Sequence, residues 1–248
     1  MPEKQKNKSS RGVEFARGAK DTIPMMVGAA PFGLIFGVIA VGAGLTPGAV
    51  MGFSMIVFAG SAQFIAAKLF ADGLSIALIV FTTFVVNLRH ALYSASLGPY
   101  TKDFSQKWML PLAFWLTDET YAVVINHYET DAPYKRWYQL GSSVAMYVNW
   151  QIWTIIGLVA GTQLEGIADL GLEFALVVTF IGIVIPMLTT RPMLLTAVVA
   201  AVVSVLARGI PNNGGLMVAS IIAIAAGIIA ESYLKKEKRF EPATEELA

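Results

Sequence analysis

An all-α, polytopic integral membrane protein is the fold class this sequence predicts, and three observations predict it. Charged residues make up 14% of the 248-residue chain, whereas soluble domains carry about 25%. Hydrophobic residues reach 56% and the mean hydropathy is +0.63. The apolar residues gather into runs of about 20, the length a helix needs to cross roughly 30 Å of hydrocarbon.

The chain opens with a polar stretch, residues 1–21, that carries Lys4, Lys6, Lys8, Arg11, Arg17 and Lys20. It reads as a cytoplasmic tail with a short basic amphipathic piece. Further apolar runs follow the first one, so that run is expected to be retained rather than removed as a signal peptide. Eight runs are expected to form helices: residues 22–44, 48–70, 74–97, 108–127, 138–161, 173–189, 192–207 and 214–233. Turn and charge signals separate them at Thr46-Pro47-Gly48, Asp72-Gly73, Gly98-Pro99, Asp131-Ala132-Pro133 and Pro211-Asn212-Asn213-Gly214. Residues 22–233 then form one transmembrane permease domain, followed by a charged cytoplasmic tail, residues 234–248.

Loop charge sets the orientation. With the N-terminus inside, the inner segments hold fourteen cations: six in the tail, then Lys68, Lys135, Arg136, Arg191, Lys235, Lys236, Lys238 and Arg239. The outer loops hold Lys102, Lys107 and Arg208. This asymmetry follows the positive-inside rule and puts both termini in the cytoplasm. The sixth and seventh runs are short and close together, so a re-entrant pair with six full crossings is the alternative. Trp108, Trp137, Tyr138 and Tyr233 fall at run ends, as interface anchors do. In the first run, Gly28, Gly33, Gly37, Gly42 and Gly44 accompany Pro24 and Pro31. That helix is expected to pack closely on neighbours and to be interrupted or kinked near Pro31.

Composition also excludes function classes. The chain has no cysteine, and its two histidines, His90 and His127, are far apart in sequence, so no thiol chemistry or histidine metal site is expected. A net charge of +1 gives no nucleic-acid footprint. There is no nucleophile elbow and no phosphate-binding loop ending in Gly-Lys-Ser or Gly-Lys-Thr, so neither an enzyme nor a cofactor is expected.

What remains is a set of polar residues inside apolar runs. A charge at a helix centre costs roughly 2.5 to 3.5 kcal/mol on insertion scales, and so needs a partner, a wet cavity or a function. The third run places Asn87, Arg89 and His90 within one turn, and the fourth places Asp118 beside Glu119. Arg89 can bind a carboxylate through two hydrogen bonds. One acid can pair with Arg89 while the other faces a pathway, and a carboxylate so placed can exchange protons. Gln63 in the second run, and Asn149 and Gln151 in the fifth, are further candidates; amide bonds that simply fasten helices explain them nearly as well. The substrate-binding candidates are therefore Arg89, Asp118, Glu119, Asn87, Gln63, Asn149 and Gln151. The proton-coupling candidates are Asp118, Glu119 and His90.

Four blocks, Pro31-Phe32-Gly33-Leu34-Ile35-Phe36-Gly37, Phe58-Ala59-Gly60-Ser61-Ala62-Gln63-Phe64, Asn87-Leu88-Arg89-His90 and Thr117-Asp118-Glu119, together resemble the AzlC family of branched-chain amino acid exporters. The resemblance runs from about Phe15 to Tyr233. It implies a bacterial inner-membrane permease that exports valine, leucine and isoleucine, with methionine as a further candidate, together with a small AzlD-type membrane subunit. Alternating access coupled to protons is the expected mechanism, and a homo-oligomer is a further option. A carrier of another small metabolite, or a scaffold subunit without transport activity, are the alternatives.

Overall fold

The computed structural model describes residues 10–164, 188–210 and 214–240, together with positions 174, 181 and 185. All the regular structure among the described residues is helical. The chain divides into two compact units, Met1–Leu176 and Val177–Ala248.

In the first unit the basic N-terminal piece is helix α1 (Arg11–Asp21), started by the Ser10 hydroxyl, which accepts from the Val13 amide. Helix α2 (Ile23–Gly42) follows directly. Both lie against the longest helix of the unit, α9 (Lys135–Gln163). Glycine makes these approaches possible. A Cβ added at Gly18 would land on the Tyr138 carbonyl, and one at Gly141 on the Phe15 carbonyl. Where α2 crosses α9, a Cβ at Gly157 would strike the Leu34 carbonyl, and one at Gly37 would strike the backbone of Thr154 and Gly157. Gly33 and Gly37 in α2, and Gly157 and Gly161 in α9, have the spacing that lets membrane helices touch backbone to backbone.

The close packing expected of the first run is present, and of the interruption or kink expected near Pro31 there is no interruption. Helix α2 stays helical through Pro31. Proline removes one hydrogen bond from the helix, and the contacts with α9 on the following two turns hold the backbone in place.

The interruptions fall in the next three runs. The second run divides into α3 (Pro47–Gly52), a π-helical turn (Phe53–Val57), and α4 (Gly60–Ala71). Between them Phe58 is left-handed, with φ 43°, and Ala59 is extended. The third run forms α5 (Ile76–Asn87) and α6 (Arg89–Thr101), which an irregular turn at Leu88 separates within one helical stretch; Leu88 itself keeps right-handed helical angles, φ −56° and ψ −23°. The fourth forms α7 (Gln106–Phe114) and α8 (Asp118–Tyr128). Thr117 caps α8 by accepting from the Thr120 amide, while the Thr120 side chain bonds back to the Thr117 amide. A Thr-Asp-Glu sequence is a start signal for a helix, and it operates here inside an apolar run.

Of the expected interface anchors, Trp108 and Trp137 meet with ring centroids 4.8 Å apart, and the Arg136 guanidinium lies over Trp108. Tyr138 is different, being buried where α1 covers it. Its ring stacks on His127 at 3.6 Å and its hydroxyl donates to Asp21 at 2.8 Å. His127 Nε2 lies 3.1 Å from Glu14 Oε2, and both side chains are buried. The basic segment read as part of a tail is thus fastened to α8 and α9.

In the second unit, α10 (Arg191–Leu206) and α11 (Gly214–Phe240) pack together. Gly227 lies against Thr196, and Gly215 against the Ala207 carbonyl. The seventh run agrees with its expected bounds within one residue, and the eighth continues beyond residue 233 to Phe240. The sixth run falls largely outside the described residues. Among the described residues three helical stretches are long and apolar enough to cross a membrane: Ile23–Gly42, Ile76–Thr101 and Lys135–Gln163. Apolar residues on the outside of the helices, such as Val80, Phe84, Leu88 and Leu92, suit a lipid-facing surface.

Candidate functional site

Two polar clusters form at the helix breaks. The first joins the irregular turn at Leu88 to the start of α8. Arg89 opens α6, Asp118 opens α8, and Arg89 Nη1 donates to Asp118 Oδ2 at 2.5 Å. Asp118 sits at a helix start that follows the extended Thr117, and Arg89 sits directly after the irregular turn at Leu88. Asp118 and Glu119 occupy the first turn of α8, where the helix dipole favours negative charge. The bridge is partly exposed, with 30% of the Arg89 side chain and 40% of the Asp118 side chain accessible.

Around this pair, His90 Nδ1 lies 3.1 Å from the Asn87 carbonyl oxygen. The Asn87 side-chain oxygen and Arg89 Nε are buried without a hydrogen-bond partner. Tyr93 stacks on Tyr121 at 4.9 Å, and the Tyr121 hydroxyl lies 2.8 Å from Ser96 Oγ. The arrangement holds a guanidinium, two carboxylates and an imidazole at the junction of three half-helices. Such a group can exchange ion pairs and pass protons.

The second cluster surrounds the break between the π-helical turn and α4. Gln63 Nε2 donates to Ser54 Oγ at 3.1 Å, and Ser54 Oγ lies 2.9 Å from Thr154 Oγ1. Helix α9 satisfies carbonyls of the π-helical turn: Gln151 Nε2 donates to Ser54 O at 2.9 Å, and the Tyr147 hydroxyl donates to Met55 O at 3.1 Å. Irregular backbone in a membrane needs such partners, since lipid supplies none. The clusters are connected by rings, with Trp115 5.8 Å from Tyr147 and Tyr147 4.9 Å from Phe58.

The seven substrate-binding candidates therefore separate. Asn87, Arg89, Asp118 and Glu119 gather at the first cluster, together with His90. Gln63 and Gln151 meet at the second. Asn149 belongs to neither: its Nδ2 donates to the Met26 carbonyl at 3.1 Å, beside an apolar groove of about 300 Å³ that includes Phe15 and Ala19. Ser54 and Thr154 were not legible as site residues, because short hydroxyl side chains in apolar helices carry no distinguishing pattern. Among the described residues no group of three or more His, Asp or Glu side chains is placed to hold a metal ion.

Residues 24–164 match a family model described as AzlC protein. The chain is 30% identical to the inner membrane protein YgaZ of Escherichia coli (strain K12), across 87% of this chain and 86% of that protein. It is 29% identical to an uncharacterized membrane protein of Archaeoglobus fulgidus, across 73% and 80%. With the branched-chain amino acid transport protein AzlC of Bacillus subtilis (strain 168) it shares 26% identity, across 66% and 64%. No solved structure matches the chain.

Proposed function

The chain belongs to the AzlC family, and on that premise we propose that it exports branched-chain amino acids across the bacterial inner membrane by alternating access, coupled to protons. Valine, leucine and isoleucine are the proposed substrates, with methionine as a further one. An AzlD-type small subunit is the proposed partner, and eight crossings with both termini in the cytoplasm are the proposed topology.

The observation that carries this reading is the succession of three apolar runs, each divided at a polar motif. Divided helices present free backbone ends at membrane depth, and carriers use such ends to bind solutes and ions. The Arg89–Asp118 bridge joins two of the half-helices, α6 and α8. A substrate carboxylate competes with Asp118 for Arg89, and a substrate ammonium competes with Arg89 for Asp118 or Glu119. Either exchange loosens the bridge, and so does a proton reaching Asp118, Glu119 or His90. Substrate and proton thereby bias the same pair of half-helices, which is the requirement for coupling.

Efflux of labelled valine and leucine from cells making this chain, with and without the small subunit, tests the proposal. Faster efflux of both amino acids is expected when both chains are present. Efflux that ignores both amino acids would remove the transport reading. In vesicles, Asp118→Asn or Glu119→Gln is expected to abolish transport driven by a pH gradient, and unchanged transport in both variants would remove the proton role of these two acids.

A further inference from the structure

Four buried polar atoms on the residues that flank the break before α4 have no hydrogen-bond partner: Ser61 Oγ, Gln63 Oε1, Trp150 Nε1 and Gln151 Oε1. Two belong to the start of α4, and two to consecutive residues of α9. Each represents a desolvation cost that native folds ordinarily avoid. Ala59 supplies no side-chain cap, so the first-turn amides of Gly60, Ser61 and Ala62 have no partner within the helix either. Side chains on a helix lean toward its N-terminus. Gln63 does so, since its amide nitrogen reaches back to Ser54, and this brings its unbonded oxygen alongside the break. Trp150 covers the same end: a Cβ at Gly60 would sit 3.0 Å from the indole ring.

The free groups are of two kinds. The amides, the Ser61 hydroxyl and the Trp150 indole N–H donate, at the end of a helix that favours negative charge. The Gln63 and Gln151 oxygens accept. We infer that this break is the head-group site for a zwitterionic α-amino acid, with the carboxylate on the α4 N-terminus, Ser61 and Trp150, and the ammonium on Gln63 and Gln151. The aliphatic tail lies against Phe36, Phe58 and Phe64, which adjoin the break in one apolar cluster. Admission requires the Trp150 indole to lift from Gly60. No charged side chain is used, so this is a position of the head group distinct from the Arg89–Asp118 bridge, which the substrate engages at another stage of alternating access. The inference rests on the proposal that the chain handles branched-chain amino acids, and it names where the polar end of the substrate is held.

Binding of labelled leucine to the purified full-length chain in lipid nanodiscs tests it. Ser61→Ala and Trp150→Phe each remove one polar group that has no hydrogen-bond partner in the free protein, whereas Gln63→Met and Gln151→Met also remove the hydrogen bonds to Ser54. Each is expected to weaken leucine binding about tenfold or more, with thermal unfolding little changed for the first two and lowered for the two methionine variants. Leucinamide and 4-methylpentanoate, which lack the carboxylate and the ammonium respectively, are expected not to displace leucine at a hundredfold excess. If the methionine variants do not fold, the smaller Ser61→Ala and Trp150→Phe changes decide. Leucine binding within twofold of wild type in those two variants would mean that water alone occupies the break, and would overturn the inference while leaving the transport proposal intact. Equal displacement by either analogue would overturn it as well. A wild-type chain that binds no apolar amino acid would remove both.

Discussion

Helices α2 and α9 form one region of this molecule, and the segments from α3 to α8 form another with the opposite character. The α2–α9 pair contains Pro24 in its first turn, Pro31 in its interior and several glycines, yet both helices are continuous and their backbones touch. The segments α3 to α8 are broken at Phe58–Ala59 and at Trp115–Thr117 and carry an irregular turn at Leu88, and none of these positions is a proline or glycine. The comparison teaches that breaker residues alone do not locate breaks in a membrane helix. A helix pressed along its length against a partner stays helical through Pro31, whereas a helix end forms wherever side chains and half-helices offer the backbone other partners.

The strongest expected effect concerns the continuous pair. Gly157→Leu puts side-chain atoms where the Leu34 carbonyl lies, so stability should fall by about 3 kcal/mol or more. Thermal unfolding in detergent measures this, and a stable, active variant would break the comparison. Next is Arg89→Ala, which leaves the Asp118 carboxylate without its cation. Because the bridge is partly exposed, the expected stability loss is modest, about 1 to 2 kcal/mol, while efflux should drop tenfold or more. Thr117→Val removes the α8 cap and should cost about 1 kcal/mol, read as a lower unfolding temperature. The smallest effect on transport is expected from Pro31→Ala, with efflux within about twofold of wild type because membrane helices tolerate proline once neighbours hold them. A loss as large as that of Arg89→Ala would place the working break in α2 instead and reverse the comparison.

Much of this architecture was legible beforehand. Positions of α9, α10 and the start of α11 followed from unbroken apolar runs, and the close approach of α2 followed from its glycines. That Arg89 pairs with one of the two acids was expected because each charge needs a counter-charge in lipid, and the structure makes that acid Asp118. Other features were not legible. Gln63 and Gln151 stood out as polar residues in two separate runs, but nothing in their spacing indicated that both would bond Ser54. Asn149, two residues from Gln151, joins Met26 on a different side of α9, since a two-residue step turns a helix by about 200°. Tyr138 read as an interface anchor, and the docking of α1 buried it.

The sequence by itself determined that this chain is helical and suited to lipid, and it supplied the few ionic and amide side chains on which its chemistry depends. Those properties follow from composition and from run length, which are local. Tertiary structure decided where the helices divide, which polar groups meet, and which were left without a partner beside the start of α4. Each of those outcomes depends on contacts between segments far apart in the chain, and a hydrogen bond or a steric clash of that kind has no signature in either segment alone.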